Sequence, residues 1–331
     1  MEPVLKVRDL ETTFFLKTGP FRAVNRISYD IGKGETLGIV GESGCGKSVT
    51  SFSLMQLVAT PGKITHGSAI LTAPGMGSVD LVQQTPTQME SIRGGKMAMI
   101  FQEPMTALNP VLTIGYQMDE QIQKHLKYNA KDSRDRAIEM LQLVGIPSAA
   151  ERYASYPHHL SGGMRQRAMI AMALSCNPIM LIADEPTTAL DVTIQAQILE
   201  LFQGLQEKMN MSVQFITHDL GVISEVSDNV LVMYGGQMCE KGNTQDVLTS
   251  PRHPYTAALI DSRPRIGVHS KRLKTIEGSV PAPHELPIGC PFATRCARVK
   301  TECWTNKPPM TSFTNSSGRE QSVACFNPVP A

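Results

Sequence analysis

The chain has 331 residues, of which 41% are hydrophobic and 18% charged, with a net charge of +1. This length fits one large domain with an appendage or two domains, and the near-neutral charge argues against a nucleic-acid binder. No apolar run approaches the roughly 20 residues of a membrane span, and the start, MEPVLKVRDLETTFF, lacks the features of a signal peptide. We therefore expect a cytosolic chain whose seven cysteines are thiols or metal ligands and not disulfides.

Predicted strands and helices alternate along most of the chain. Strand-like apolar patterns occur at 4–8, 23–31, 37–40, 97–101, 179–184, 213–217 and 229–234. Helical spacing occurs at 49–57, in two stretches of 113–145, at 160–176 and from Ile194 to Leu205. Residues 62–97, rich in Gly, Thr, Gln and Pro, are predicted to form only short strands and loops. The alternation indicates an α/β fold with a parallel sheet.

The segment GESGCGKS, residues 41–48, lies between an apolar strand at 37–40 and a predicted helix. Its glycines permit a tight turn whose N–H groups can point at a phosphate. In this context Lys47 is expected to bind the β- and γ-phosphates, and the Ser48 hydroxyl to ligate Mg²⁺. A glycine-rich turn without a ligand is the alternative, but the flanking strand and helix favour a nucleotide site.

Two acidic residues end another apolar strand, and a second glycine pair precedes a helix. Asp184 and Glu185 follow the strand, where α/β proteins bind ligands; Asp184 is expected to hold Mg²⁺ through water and Glu185 to act as a base. At LSGGM, residues 160–164, Ser161 and two glycines at a helix start predict a second anion site. Since one nucleotide does not need both loops, each is expected to serve a different nucleotide across a dimer interface.

Together these segments resemble the ATP-binding subunit of an ABC transporter, from residue 4 to about residue 250. GESGCGKS resembles the Walker A motif, LSGGM the ABC signature, and IMLIADE the Walker B motif with its following glutamate. Gln102 matches the Q-loop, TALD at 188–191 the D-loop, and His218 the H-loop. The resemblance implies an α/β P-loop NTPase cassette of the ABC type, with a RecA-like parallel-sheet core, an antiparallel β subdomain and a helical subdomain at about 105–175.

Four further segments are similar to ATPases that import dipeptides, oligopeptides, nickel or glutathione. They are FQEPMTALNP (101–110), DEPTTALDVTIQAQI (184–198), PRHPYTAAL (251–259) and GSVPAPHELPIGCPFATRC (278–296). This similarity implies a second ABC ATPase subunit, either a homologue in a heterodimer or a second copy, two transmembrane permease subunits and a periplasmic or extracellular solute-binding protein. The chain would then be peripheral, at the cytoplasmic face of the inner (cell) membrane. A non-transport ABC ATPase, linked to cluster assembly or translation, is the alternative.

The resemblance also assigns roles to individual residues. Those implied to bind ATP are Phe14, Gly41, Glu42, Ser43, Gly44, Cys45, Gly46, Lys47, Ser48, Val49, Ser161, Gly162, Gly163, Met164 and Asp191. Glu185 is implied as the general base, with His218 and Gln102 as further catalytic residues. Ser48, Gln102 and Asp184 are implied to hold Mg²⁺.

Two positions near the nucleotide leave alternatives open. Phe14 occupies the place of the aromatic residue that stacks on adenine, and Phe21 is a rival for that role. Cys45 lies beside Lys47 at a helix start, which predicts a lowered thiol pKa. A small buried filler without special reactivity is the alternative reading of this cysteine.

The character of the chain changes near residue 251, where prolines and basic residues increase and periodicity fades. We expect a cassette at 1–250 and a C-terminal extension at 251–331. In the extension Cys290, Cys296, Cys303 and Cys325 have the spacing C-x₅-C-x₆-C-x₂₁-C.

Four thiols close together in a cytosolic chain predict a shared metal or cluster, with free structural thiols as the alternative. The spacing lacks both the paired CxxC of zinc ribbons and the common ferredoxin run. The resemblance implies a [4Fe-4S] cluster, because peptide importer ATPases with this cysteine pattern are associated with one. Zinc is the second candidate.

Overall fold

The computed structural model describes residues 3–102, 107–188, 191–262, 275–282, 285–315 and 317–330. The described residues pack into two compact units. The first lies within Met1–Lys6, Asp30–Thr36 and Ile70–Ile216, and the second within Val7–Tyr29, Leu37–Ala69 and Thr217–Ala331. In the part of the chain that is described, no helix combines the length and the apolar character needed to cross a membrane. Residues 103–106, which include the start of the predicted helical subdomain at about 105–175, and residues 189–190 of the TALD motif lie outside the described residues.

Strands and helices alternate as the sequence predicts. The strands are β1 (Leu5–Leu16), β2 (Gly19–Ile31), β3 (Thr36–Val40), β4 (Gly62–Ala73), β5 (Gly77–Asp80), β6 (Met97–Ile100), β7 (Met180–Asp184), β8 (Ser212–Thr217), β9 (Asn229–Tyr234), β10 (Gln237–Asn243), β11 (Met310–Thr314) and β12 (Glu320–Ala324). The helices are α1 (Lys47–Leu54), α2 (Pro86–Ile92), α3 (Ile114–Leu126), α4 (Ala130–Leu143), α5 (Ala149–Tyr153), α6 (Gly162–Leu174), α7 (Val192–Met209), α8 (Leu220–Val226), α9 (Thr244–Thr249), α10 (Pro254–Asp261) and α11 (Glu302–Thr305).

A parallel sheet forms the core of the first unit, with strand order β8-β7-β6. Met97 of β6 lies opposite Met180 of β7, and Asp184 lies opposite Ile216 of β8. Every residue of these three strands is buried. Strands covered on both faces carry continuous apolar runs, which is why the sequence patterns at 97–101, 179–184 and 213–217 identified them.

Helices complete the first unit, and two of them, α2 and α5, were not predicted by the sequence patterns. α3 and α4 pack against each other, and α4 packs against α6. Thr113 caps α3 and Asn129 caps α4, which confirms the predicted break between two helical stretches. The prediction of only short strands and loops at 62–97 was wrong: β4 has 12 residues, and α2 begins at a capping box formed by Thr85 and Gln88.

The second unit contains the strand order β11-β12-β10-β9-β3. β3 and β9 are parallel, with Leu37 opposite Asn229, whereas β12 runs antiparallel to β10, with Val323 opposite Glu240. The polypeptide after residue 251 therefore adds two strands to this sheet. The sequence did not indicate them, because β11 is exposed along most of its length and carries no apolar stripe. The second unit also contains most of β1 and β2 and the first part of β4, in the order β2-β1-β4, whereas the end of β4 pairs with β5 within the first unit.

Candidate nucleotide-binding and catalytic residues

The GESGCGKS segment forms a tight loop between β3 and α1. Gly44 and Gly46 have φ of 79° and 97°, a backbone region that glycine adopts without steric cost. Glycine is also required by space, since a Cβ on Gly41 would lie 2.2 Å from the carbonyl oxygen of Met233, and one on Gly46 would lie 2.2 Å from that of Ala23. The loop therefore needs glycine where the backbone packs closely against neighbouring strands.

Lys47 is buried beneath this loop and bonded to it. Its Nζ donates to the carbonyl oxygens of Gly41 and Glu42, at 2.7 and 3.2 Å. Ser48 and Val49 follow half-buried in the first turn of α1, whereas Ser43 and Gly44 are exposed at the tip. The structure thus brings the predicted phosphate-binding residues of the loop together around one ammonium group.

The predicted lowering of the Cys45 pKa is wrong. Cys45 is only 1% exposed, and this burial raises its thiol pKa although Lys47 acts in the opposite direction. Desolvation disfavours the charged thiolate more than one nearby ammonium favours it. Cys45 Sγ lies 3.9 Å from Lys47 Nζ, so the sequence correctly predicted their proximity but not the burial.

The two aromatic candidates for adenine stacking lie on neighbouring strands of the second unit. Phe14 of β1 is half-buried and packs close to Gly62, where an added Cβ would lie 2.8 Å from the Phe14 ring. Phe21 of β2 is also half-buried.

His218 is exposed directly after β8, and Asp219 caps the following helix α8.

The acidic pair belongs to the first unit. Asp184 ends β7 and is 2% exposed, and Glu185 is 9% exposed with φ of 48°. A non-glycine residue in this region costs of order 1–3 kcal/mol, and such residues cluster at functional sites. The left-handed turn redirects the chain at Glu185, whose N–H donates to the Ile216 carbonyl at 2.9 Å.

Side chains of Gln102 and Thr188 orient the Glu185 carboxylate. Gln102 Nε2 and Thr188 Oγ1 both donate to Oε2 of Glu185, at 3.2 and 2.9 Å. The resemblance implied that Gln102 is a further catalytic residue and a ligand of Mg²⁺, but it did not give Thr188 as a site residue. The sequence signal that could have identified Thr188 was its position three residues after Glu185. The tight turn there places the Thr188 hydroxyl beside the Glu185 carboxylate.

The signature segment begins α6. Ser161 Oγ accepts the N–H of Met164 at 3.3 Å and so caps the helix. Ser161 and Gly162 are exposed, and a Cβ on Gly162 would meet nothing within 4 Å. Gly163 is half-buried beside Ile194. Asp191, also exposed, caps α7 by accepting the Ile194 N–H at 3.0 Å.

The four cysteines of the C-terminal extension line one small cavity, of about 10 Å³, together with Phe292 and Arg298. The backbone N–H groups of Lys300 and Asn327 donate to the sulfurs of Cys303 and Cys325, at 3.4 and 3.3 Å. Burial raises the pKa of Cys290 to about 11. Among the described residues, no group of three or more His, Cys, Asp or Glu side chains is arranged closely enough to hold a metal ion. The thiols converge, but a metal site is not preformed.

Two protein families match the chain. The family described as ABC transporter matches residues 24–188, and the one described as Oligopeptide/dipeptide transporter, C-terminal region, matches residues 239–303. The oligopeptide transport ATP-binding protein AppD of Bacillus subtilis is 52% identical over 98% of this chain and 97% of its own length. The dipeptide transport ATP-binding protein DppD of Escherichia coli is 44% identical over 98% of this chain and 97% of its own length.

Solved structures agree with this relationship. The dimeric post-hydrolysis state of the ATP-binding cassette MJ0796, bound to ADP and Pi, has a TM-score of 0.63 at 26% identity, over 72% of this chain and 98% of that one. CbiO1 from Clostridium perfringens, part of an ABC transporter complex, has a TM-score of 0.63 at 25% identity, over 76% and 92%. The predicted fold and family are therefore confirmed: the chain is a P-loop NTPase cassette and belongs to the ABC transporter ATPases.

Proposed function

We propose that this chain is the ATP-hydrolysing subunit of an importer for peptides or a related small solute. The observation that carries the proposal is the extent of the similarity. Relatives named as oligopeptide or dipeptide transport ATP-binding proteins are 52%, 50% and 44% identical over 98%, 92% and 98% of the chain. Their similarity includes the C-terminal region at 239–303, which has its own peptide-transporter family. We therefore divide the chain into an ABC cassette, 1–250, and a peptide-importer extension, 251–331.

ATP would bind at the GESGCGKS loop. N–H groups of the glycine-rich loop, together with the start of α1, would provide a cradle for the phosphates. Lys47 supplies the positive charge; its bonds to two loop carbonyls support this role, because they hold the ammonium at the loop. When bound, Mg²⁺ neutralises the developing charge on the phosphates, and Ser48, Gln102 and Asp184 would hold it. Phe14 would stack on adenine.

Glu185 would act as the general base for the attacking water. Its carboxylate is oriented by hydrogen bonds from Gln102 and Thr188 to Oε2. A base must lie within hydrogen-bond reach of the proton that it removes, and a fixed carboxylate meets this need better than a mobile one. His218, exposed at the end of β8, would contact the γ-phosphate.

A second cassette would complete the site through its signature residues 161–164. Gly162 supports this role: it has no crowded Cβ position, so the chain's own packing does not require glycine there. A ligand that closely approaches the backbone would require it. Asp191 and the exposed Val192 would lie at the seam between the two cassettes. The second cassette is a homologous subunit or another copy of this chain.

Two transmembrane permease subunits and an external solute-binding protein would complete the importer, with this chain peripheral at the cytoplasmic face of the membrane. Val111 and Tyr116 of the first unit support a permease contact, because they are 74% and 58% exposed. Aromatic residues such as tyrosine are enriched in protein interfaces.

We also propose that Cys290, Cys296, Cys303 and Cys325 ligate a [4Fe-4S] cluster, with zinc as the competing occupant. Thiolate sulfur is the ligand that both prefer. The convergence of the four thiols on one cavity and the two N–H···S contacts support a shared ligand. Bonds from backbone N–H groups to cysteine sulfur also tune such clusters.

Reconstitution tests the transport function. The chain is co-purified with its permeases and second ATPase subunit, placed in lipid vesicles, and supplied with the binding protein with and without peptide. We expect the peptide-loaded binding protein to stimulate ATP hydrolysis and ATP-dependent peptide uptake. An ATP hydrolysis rate that does not change when the permeases and the peptide-loaded binding protein are added would contradict a role in import.

A further inference from the structure

The second residue of the phosphate loop forms an ion pair with the C-terminal extension. Arg295 Nη1 and Nη2 donate to Oε2 and Oε1 of Glu42, at 2.6 and 3.2 Å. The Arg295 side chain is only 4% exposed. Two parallel bonds of this kind fix both the distance and the orientation of the carboxylate. The pair joins positions 253 residues apart in sequence.

The remaining donors of Arg295 are bonded too. Nε donates to the carbonyl oxygen of Glu277 at 3.0 Å, and Nη2 to those of Ile276 and Gly278, both at 3.3 Å. Nη1 also donates to the Tyr234 hydroxyl at 3.3 Å. Burial opposes the charged guanidinium, but its bonds to Glu42 and Tyr234 outweigh burial and raise the pKa of Arg295. The guanidinium is therefore held on several sides and is a rigid anchor.

The backbone of Glu42 is anchored as well. Its N–H donates to the hydroxyl of Tyr255, at 2.9 Å. Tyr255 belongs to α10 and is fully buried, and its ring packs against those of Tyr234 and Phe292. The C-terminal extension thus binds both the side chain and the backbone N–H of Glu42. Ser43, the next residue of the loop, is exposed.

Glu42 is also in direct contact with the phosphate-binding lysine. Its carbonyl oxygen accepts a bond from Lys47 Nζ at 3.2 Å. Arg295 is thus connected to the Lys47 ammonium through a single residue. Because phosphate binding depends on the directions of the loop N–H groups and on the position of the lysine, a displacement of Glu42 would weaken ATP binding.

We propose that Arg295 is a positioning residue of the nucleotide site, which acts through Glu42 to hold the loop and Lys47 in the ATP-binding geometry. The C-terminal extension would then set the ATP affinity of its own chain. This inference rests on the proposed nucleotide site. It differs from any role of the cysteines, because the contact that carries it is made by a guanidinium and not by a thiol.

Equilibrium binding of MgATP to the purified full-length chain tests the inference. We expect Arg295→Gln and Glu42→Gln each to weaken binding about 10- to 100-fold, the size of effect expected when hydrogen bonds between charged groups are lost. Arg295→Lys retains the positive charge but lacks the two parallel N–H donors of the guanidinium. Its MgATP affinity should lie between those of the wild type and Arg295→Gln. Arg252→Gln is the matched control. Arg252 also forms a hydrogen bond within the extension, from Nη1 to the Val329 carbonyl oxygen at 3.2 Å, but no described bond links it to the phosphate loop. The MgATP affinity of this variant should therefore stay within about twofold of the wild type.

The double variant Glu42→Gln/Arg295→Gln distinguishes positioning from general support of the fold. If the two residues act as one pair, their effects are not additive. The double variant should then bind MgATP no more weakly than whichever single variant has the lower affinity. In the assembled ATPase, KM for ATP should rise while kcat changes little. Thermal unfolding of each variant, recorded without nucleotide, identifies losses of MgATP affinity that come only from a less stable fold.

The outcomes separate this inference from the proposed function. A wild-type chain that does not bind MgATP would overturn the nucleotide site itself. If the wild type binds and the folded Glu42→Gln and Arg295→Lys variants bind equally well, Arg295 is not a positioning residue. These two milder variants decide the question if Arg295→Gln does not fold.

Discussion

Nε2 of Gln102 donates a 3.2 Å hydrogen bond to the carboxylate of Glu185. Gln102 lies two residues after β6 and Glu185 directly follows β7, and these two strands are parallel neighbours. The resemblance implied that Glu185 is the general base and that Gln102 is a further catalytic residue that also holds Mg²⁺, but it implied no contact between them. Their contact indicates that movement of Gln102 would also change the orientation of the base.

Glu185→Gln should retain ATP binding and nearly abolish turnover. The amide oxygen can still accept from Gln102 and Thr188, but it cannot remove a proton. Loss of a general base typically costs about 10²–10⁴-fold in rate. Hydrolysis in the assembled complex and MgATP affinity are measured together, with Glu200→Gln, an exposed carboxylate on α7, as the control. Turnover at the wild-type rate would show that Glu185 is not the base.

Gly46→Ala should disrupt the phosphate loop far more than Gly44→Ala does. Both glycines have positive φ, so alanine costs about 1–2 kcal/mol of backbone strain at either position. Only at Gly46 would the new Cβ also collide with a backbone atom, the Ala23 oxygen at 2.2 Å; at Gly44 the space is open. We expect Gly46→Ala to lose MgATP binding and to have the lower unfolding midpoint. Equal effects of the two substitutions would contradict this packing argument.

Cys45 should resist maleimide in the folded chain near neutral pH. The thiol is 1% exposed, and burial raises its pKa, so the reactive thiolate is scarcer than for an ordinary cysteine. Since the thiolate fraction grows with pH, labelling should accelerate between about pH 7 and pH 9. Mass spectrometry of labelled peptides, with denatured chain as the control, measures this. Labelling at pH 7 as fast in the folded as in the denatured chain would restore the original expectation of a reactive thiol.

Anaerobically purified protein should be brown, with broad absorption near 400 nm and roughly four irons and four sulfides per chain. Cys303→Ser should remove the colour and leave MgATP binding largely intact. Cys176→Ser, a buried thiol in the first unit, should keep the colour. A colourless preparation with one zinc would favour a Cys₄ zinc site, and one without metal would return the cysteines to structural thiols.

Local features were predictable because they depend on neighbours in sequence. The continuous apolar run before Asp184 identified a buried parallel strand, and the glycines of residues 41–48 identified a loop with positive φ. Helix caps such as Thr113 and Ser161 also lie within a few residues of the groups that they bond. The capping box at Thr85 was present in the sequence as well, but it lay in a segment whose composition suggested loops.

Other features depend on groups that meet only after folding. The burial that reverses the expected pKa shift of Cys45 comes from the packing around the loop, which its neighbour Lys47 does not reveal. The pairing of β12 with β10 satisfies backbone groups in a stretch without an apolar pattern. The motifs of the nucleotide site were thus determined by the sequence alone. Only the tertiary structure decided that Arg295 holds Glu42, because two charges 253 residues apart pair through the path of the chain and not through any local pattern.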